Sequence, residues 1–162
     1  MGVKTFNGLG SFEIFLRKQA LEQPERLYAA ADTSAKVTEK VIKGVFGNKS
    51  ELAPLATSTV DAREKHGDSN PDRPLLIDGT LLRDSIESFA ELLGPDEAVA
   101  GVGSGEKILL YHELGSAHYP PRPAFSIGAL KALPLIKKIV QRFLHPGESY
   151  GVTGKSSIEE TL

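Results

Sequence analysis

The chain has 162 residues, 40% of them hydrophobic and 25% charged, which is the size and composition of one ordinary globular domain. It contains no cysteine, which excludes a disulfide framework, a thiolate metal site and a cysteine nucleophile. A formal net charge of -2 from well-mixed residues gives no strong field that would attract nucleic acid or an anionic membrane.

The N-terminal part of the chain is predicted to be helical. Residues 1–10, which include three glycines, are typical of a loose arm. A short helix capped by its first serine is predicted over residues 11–21, and Pro24 suits the first turn of a second helix. Apolar residues then recur every three or four positions as far as Val45, and Gly47 with the asparagine after it predicts the helix end.

The middle of the chain combines a short helix with turns. Residues 57–66 are polar and compatible with a helix that stops at a glycine, and residues 67–74 are almost all turn formers, which indicates an exposed, mobile loop. Beyond this loop, Asp78 or Thr80 can cap one short helical turn whose leucines pack inward.

Strands are predicted in the second half. The segments 86–92 and 97–102 flank a Gly-Pro-Asp turn and predict a β-hairpin. A third apolar run at 107–110 and a possible last strand at 124–127 would extend the sheet to three or four strands.

The C-terminal region predicts one more helix and a tail. Apolar residues at helical spacing between Leu130 and Leu144 predict a helix that Pro134 starts or kinks and that a Pro-Gly pair ends at 146–147. The predicted fold class is α+β, with N-terminal helices, a small antiparallel three- to four-stranded sheet, and a C-terminal helix packed on one face. We expect a single domain over 1–147 and a flexible or partner-ordered tail over 148–162. No signal-peptide pattern or membrane-length apolar run is present, so we expect a soluble protein.

Two glycine-rich segments only partly match phosphate-binding motifs. The segment 147–156 ends in Gly-Lys-Ser, but Ser149 stands where the first glycine of a phosphate-binding loop belongs, and a helix precedes it. The segment 101–106 has three alternate glycines without the spacing of a dinucleotide motif, and Ser104 lacks the flanking pattern of a serine nucleophile. We therefore predict no cofactor.

His112 and Glu113 begin like the zinc-protease helix, in which two histidines one turn apart hold the metal and the glutamate acts as base. Ser116 occupies the position of the second histidine, and His118 lies beyond Gly115, off the same helical face. A metal-dependent hydrolase that uses His112, Glu113 and His118 is the alternative hypothesis, but the spacing favours histidines with a structural role.

Three prolines in four residues, Pro120-Pro121-Arg122-Pro123, predict a stiff corner that cannot be an inner strand. An arginine on such a rigid segment is suited to hold a contact, either with a carboxylate within the fold or with a neighbouring subunit. A simple rigid loop is an equally good interpretation of these residues alone.

Several short motifs occur in a specific order along residues 50–145. Pro74-Leu75-Leu76-Ile77-Asp78-Gly79-Thr80-Leu81-Leu82-Arg83-Asp84-Ser85-Ile86 is followed by the hairpin, then by Tyr111-His112-Glu113-Leu114-Gly115-Ser116 and Pro121-Arg122-Pro123-Ala124-Phe125. This order resembles the phage virion morphogenesis and tail-completion proteins, small neck and minor tail components of long-tailed phages. The chain differs from the family pattern at Asp78, where threonine is usual, at Ser116 for threonine, and at Pro121 for alanine.

The resemblance implies a structural virion protein of the head–tail junction, without catalysis and without metal. Such a protein would form a homo-oligomeric ring, a hexamer by family analogy, between the portal-side connector and the tail, and DNA would pass through its lumen without specific binding. It implies a location in the virion, and in the host cytoplasm during assembly. The candidate residues for structural or subunit contacts are Tyr111, His112, Glu113, Gly115, Arg122, Pro123 and Phe125. A toxin-like or regulatory binding module, which would be a stable monomer, is a further alternative.

Overall fold

The computed structural model describes residues 9–76 and 82–144. In chain order, its elements are helices α1 (Leu9–Val45) and α2 (Thr57–His66), strands β1 (Ile86–Gly94) and β2 (Glu97–Ser104), and helices α3 (Lys107–Leu114) and α4 (Ala124–Leu144). The described part of the chain is therefore α+β, with four helices and one two-stranded antiparallel sheet, which confirms the predicted class.

Several sequence predictions lie outside the described residues. These are most of the N-terminal arm, the turn capped by Asp78 or Thr80, the end of the last helix at 146–147, the glycine-lysine-serine segment at 147–156, and the tail at 148–162. No helix of the described residues is long and apolar enough to cross a membrane.

The first two predicted helices are one continuous helix, α1, with Pro24 inside it. The prediction of a break before Pro24 is therefore wrong, and the helix already includes Ser11, the predicted cap. A proline removes only one backbone hydrogen bond and crowds the preceding turn, so neighbouring helix-forming residues can carry a helix through it. The predicted end is confirmed, because α1 stops at Val45 and Gly47 has a positive φ of 76°.

The predicted hairpin is confirmed, and both of its strands are slightly longer than expected. Strand β1 pairs with β2 in antiparallel register, with Phe89 opposite Gly101, and the pairing is irregular between Leu92 and Gly94, next to the turn. Helix α2 also has the predicted bounds, and Gly67 ends it in the left-handed conformation with a φ of 81°. Glycine suits this position because it has no Cβ to strain.

The predictions of a third and a fourth strand are wrong. The apolar run at 107–110 begins helix α3, and residues 124–127 form the first turn of helix α4. Short apolar runs have no period that separates a strand from a buried helix, and here both runs continue into helical turns. The described sheet consequently has two strands.

Helix α1 is the central element, because both the hairpin and α4 pack against it. The prediction that the C-terminal helix covers the sheet is therefore wrong in its packing, since the main partner of α4 is α1. Gly128 makes this packing close: a Cβ at that position would lie 2.7 Å from the Cα atom of Ile42. A side chain at Gly128 would force the two helices apart.

The core lies at the C-terminal end of α1, where most of the chain converges. Its buried residues come from α1, the connector after it, the segment between α2 and β1, the start of β1, α3 and the first turn of α4. They are Ile42, Val45, Phe46, Leu52, Leu75, Leu82, Ile86, Leu109 and Ala124. Helix α3 and the start of α4, which carry the candidate contact residues, are therefore anchored in this core.

An ion pair within α1, between Glu39 and Lys43, lies next to Ser88 of the hairpin. Glu39 accepts a hydrogen bond of 2.6 Å from Lys43, one turn later in the helix. Hydrogen bonds hold the pKa of the Glu39 carboxyl below its ordinary value, and the bond from Lys43 has a larger effect than the bond from Ser88 of β1. The charged form of Glu39 is therefore favoured in the folded protein.

We predict that Glu39→Gln makes the protein less stable at neutral pH by about 0.5 kcal/mol and flattens its acid dependence. A carboxyl with a lowered folded pKa contributes stability above its unfolded pKa of 4.5, and this contribution is lost as the pH falls through the folded value. Urea unfolding at pH 7, 4.5 and 3.5 measures the change. Glu25→Gln, on an exposed position of the same helix, is the control. Equal acid slopes for wild type and Glu39→Gln would contradict the prediction.

Candidate functional site

The segment from Tyr111 to Phe125 connects the end of α3 to the start of α4 through a tight corner. Gly115, just after α3, has φ 76° and ψ -177°, a combination that is accessible essentially to glycine alone. A Cβ on Gly115 would also lie 2.8 Å from the backbone nitrogen of Pro121. Gly115 is thus required both by its backbone conformation and by the proline segment that packs on it.

Arg122 is buried, with 5% of its surface exposed, although it carries a full charge. Its Nε donates to the carbonyl oxygen of Ala53 and its Nη2 to that of Pro54, each at 2.8 Å. The backbone N–H of Arg122 donates to the carbonyl of His112 at 2.7 Å. The corner is therefore bound at once to the connector after α1 and to α3.

Arg122 does not bind a carboxylate, which was one of the partners expected for it. Its planar guanidinium instead donates to two carbonyl oxygens on consecutive residues of the same chain. Burial, and then the positive charge of Arg63, lower the pKa of the Arg122 guanidinium from its ordinary value.

Glu113 binds the N-terminus of α4. Its Oε2 accepts the backbone N–H of Phe125 at 3.1 Å, and its Oε1 accepts that of Ser126 at 2.8 Å and the hydroxyl of the same serine. The first N–H groups of a helix have no partner within the helix, and a negative charge there is favoured by the helix dipole. Glu113 is therefore a capping residue supplied by a neighbouring helix.

His112 lies between the corner and α3. Its ring contacts that of Tyr119 with the centroids 5.5 Å apart, and its Nδ1 is buried without a hydrogen-bond partner among the described residues. Burial, followed by the charges of Arg122 and Arg63, lowers the pKa of the His112 imidazole. The neutral form of the imidazole is therefore favoured.

The remaining candidate residues divide between interior and surface. Phe125 packs against the core, and the carbonyl of Pro123 accepts the N–H of Ile127 in the first turn of α4. Tyr111 is 58% exposed and is available for a contact outside the chain. His118 is exposed in the turn between Ser116 and Tyr119.

The structure does not bring the hydrolase residues together as a metal site. Among the described residues, no three His, Asp or Glu side chains are arranged to hold a metal ion. Glu113, the residue that would act as base, already accepts hydrogen bonds from the start of α4. Ser104 likewise has a structural environment, because its hydroxyl lies 2.7 Å from that of Ser85 and accepts the N–H of Glu106.

Arg63 is a residue of this region that the sequence did not reveal. Its Nη1 donates to the carbonyl oxygens of Arg73 and Leu76, at 3.1 and 2.9 Å, and so ties α2 to the segment before residue 77. Residue 75 within that segment is the one described non-glycine residue with a positive φ, 64°. No local pattern could have identified Arg63, because it lies in a helix whose polar residues are otherwise exposed.

Three groups of exposed apolar side chains lie on the hairpin, on α3 and on α4. The hairpin surface carries Phe89, Leu93 and Val99, the α3 surface carries Ile108, Leu110, Tyr111 and Leu114, and the α4 surface carries Leu130 and Leu133. Single exposed apolar side chains are normal, but clusters of them on successive elements are typical of protein–protein contacts.

Comparison of the chain with protein-family models, with curated proteins and with solved structures found no match. What the protein does is therefore inferred from its own residues and contacts.

We predict that Arg122→Lys destabilises the protein by about 1–3 kcal/mol, because a lysine can reach at most one of the two part-buried carbonyls that Arg122 binds. Chemical denaturation measures this loss. Arg83→Lys is the control, since the Arg83 side chain is 50% exposed, and it should change stability by less than about 0.5 kcal/mol. Similar stabilities for the two variants would refute the role of Arg122.

We predict that Glu113→Gln destabilises the protein by about 1 kcal/mol and Glu113→Ala by about 2 kcal/mol, because the N-terminus of α4 loses first the charge and then the acceptors. Thermal and urea unfolding report the change. Glu106→Gln is the matched control, because Glu106 precedes α3 without a capping bond from its side chain. If Glu113→Gln and Glu106→Gln behave alike, the capping role is wrong.

Proposed function

We propose that this protein is a structural component of a phage head–tail junction, a neck or tail-completion protein that forms a ring between the portal-side connector and the tail. The proposal starts from the order of motifs along residues 50–145. It is supported by what those motifs do in the fold, and by the apolar surfaces that the fold leaves exposed.

The motif residues have structural roles that need no substrate. Gly115 permits the corner, Arg122 binds it to the connector after α1, and Glu113 caps the helix that follows. These interactions hold α3 and α4 in a fixed relation. A fixed arrangement of this kind is expected of an assembly protein, because its surface must keep one shape to fit its neighbours.

The exposed apolar side chains are the observation that carries the proposal. Leu114 is 71% exposed, and Leu110 and Tyr111 of the same helix are each 58% exposed, while Leu130 of α4 is 68% exposed. Exposing this much apolar surface in water costs free energy that burial in an assembly would recover. A protein that works between other subunits would bury these side chains there.

In this proposal the protein assembles as a homo-oligomeric ring, a hexamer by family analogy, and contacts neighbouring connector and tail proteins. It resides in the virion after assembly in the host cytoplasm. The net charge of -2 is compatible with a lumen through which DNA passes, because strong binding to phosphates would hold the DNA in place.

We predict that deleting the gene leaves filled heads and complete tails unjoined, and that the full-length protein supplied in trans restores joined particles. Electron microscopy of lysates and plaque counts measure the two outcomes. The double variant Leu110→Ser/Leu114→Ser, which changes exposed positions of α3, should fold normally and join fewer particles than the wild type. Infectious, joined particles without the gene would refute the proposed function.

A further inference from the structure

We infer that the outer face of the hairpin binds the exposed face of α4 in a second copy of this chain. The outer hairpin face is formed by Glu87, Phe89, Glu91 and Val99. The exposed α4 face is formed by Leu130, Leu133, Lys137 and Lys138. The inference rests on the proposed function, because it names the surfaces that would join neighbouring subunits of the ring.

The outer hairpin face alternates acidic and apolar side chains. Successive residues of a strand point to opposite faces, so residues 87, 89 and 91 of β1 share one face, all three are exposed, and Val99 is on the same face opposite Glu91. Phe89 is 55% exposed and Val99 38% exposed. The Phe89 ring lies over Gly101, where a Cβ would come within 2.7 Å of it, so the glycine lets the ring rest on the hairpin.

The exposed face of α4 carries apolar side chains followed by basic ones. Leu130, Leu133 and Lys137 follow the i, i+3, i+7 spacing of one helical stripe, and Lys138 lies beside that stripe. Leu130 and Leu133 are 68% and 57% exposed.

The charges on the two elements are opposite. The hairpin from Ile86 to Ser104 contains four acidic and no basic residues, whereas α4 contains four basic and no acidic residues. One of the basic residues, Lys131, is paired with Glu51, and the other three form no ion pair within the described part of the chain. Such complementary faces attract each other and repel their own kind, which selects the contact between hairpin and α4 over contacts between like faces.

The two faces also match in length. From Glu87 to Glu91 a strand extends about 13 Å, at roughly 3.3 Å per residue. From Leu130 to Lys138 a helix extends about 12 Å, at roughly 1.5 Å per residue. A strand face and a helix face of similar length can therefore cover each other.

A second copy of the chain is the occupant that satisfies both faces. Each copy offers one acidic and one basic face, so every contact uses one of each and no face is in excess. Contacts between different surfaces continue from copy to copy and close into a ring when the rotation allows it.

Charge reversal tests this contact in the purified full-length protein. Wild type should associate reversibly in analytical ultracentrifugation, and salt should weaken the association because it screens the charges. Glu87→Lys/Glu91→Lys and Lys137→Glu/Lys138→Glu should each raise the dissociation constant about tenfold or more. The chain that carries all four substitutions should associate like the wild type, because both faces are reversed together.

Cross-linking locates the same contact, and the lack of cysteine makes it specific. Phe89→Cys/Leu133→Cys should form a ladder of disulfide-linked oligomers under mild oxidation, whereas each single variant should form almost none. A disulfide dimer of Phe89→Cys alone would place hairpin against hairpin and overturn the inference. So would a wild type that stays monomeric at its highest soluble concentration, or a four-substitution chain that fails to associate.

The outcomes separate this inference from the proposed function. If charge rescue and the disulfide ladder are observed but the gene is dispensable for joining, the contact stands and the neck function is wrong. If joining requires the gene but neither result is observed, the function stands and the contact is overturned. A closed dimer with the same disulfide would support the contact and contradict the ring.

Discussion

The guanidinium of Arg122 binds two carbonyl oxygens that lie 69 and 68 residues earlier in the chain. Through this contact, the connector after α1 meets the corner between α3 and α4. Burying a charge costs free energy, and two consecutive carbonyl dipoles offset part of that cost because the planar guanidinium donates to both in one plane. The prolines beside Arg122 reduce the number of conformations that the unfolded corner can adopt, which lowers the entropy lost when the contact forms.

The rest of the corner follows from that position. Gly115 turns the chain so that Pro121 can pack against it, and the carbonyl of His112 accepts the backbone N–H of Arg122. The start of α4 is then held beside the end of α3, where Glu113 reaches its first N–H groups. The carboxylate of Glu113 and the guanidinium of Arg122 are thus used inside the chain, while Leu114 in the same segment is 71% exposed.

Elements whose ends are determined by a few neighbouring residues were predicted correctly from the sequence. The helix end at Gly47, the bounds of α2 and the hairpin turn are each encoded by a few neighbouring residues, and these predictions were confirmed. The predictions of a break at Pro24 and of a strand at 124–127 were wrong. Both segments are helical in the folded protein, and the preferences of a few neighbouring residues do not show how a segment packs against distant parts of the chain.

The candidate site was predicted in its location but not in its contacts. The density of glycine, proline and charged residues between Tyr111 and Phe125 marked the corner correctly. The partners of Arg122 are separated from it by about half of the chain, so no spacing could have identified them. Glu113 could not be assigned as a cap while α4 was predicted to begin near Leu130, because the N–H groups that it binds belong to residues 125 and 126.

The net charge of -2 conceals a separation of charge between elements, with the acidic residues of the hairpin opposed to the basic residues of α4. In the proposed ring this separation would also determine when growth stops. An open chain of subunits keeps one acidic face and one basic face at its ends, so it continues to accept copies. Closure pairs these last two faces, which leaves a ring that is locally neutral at every contact and has no remaining attraction for a further subunit.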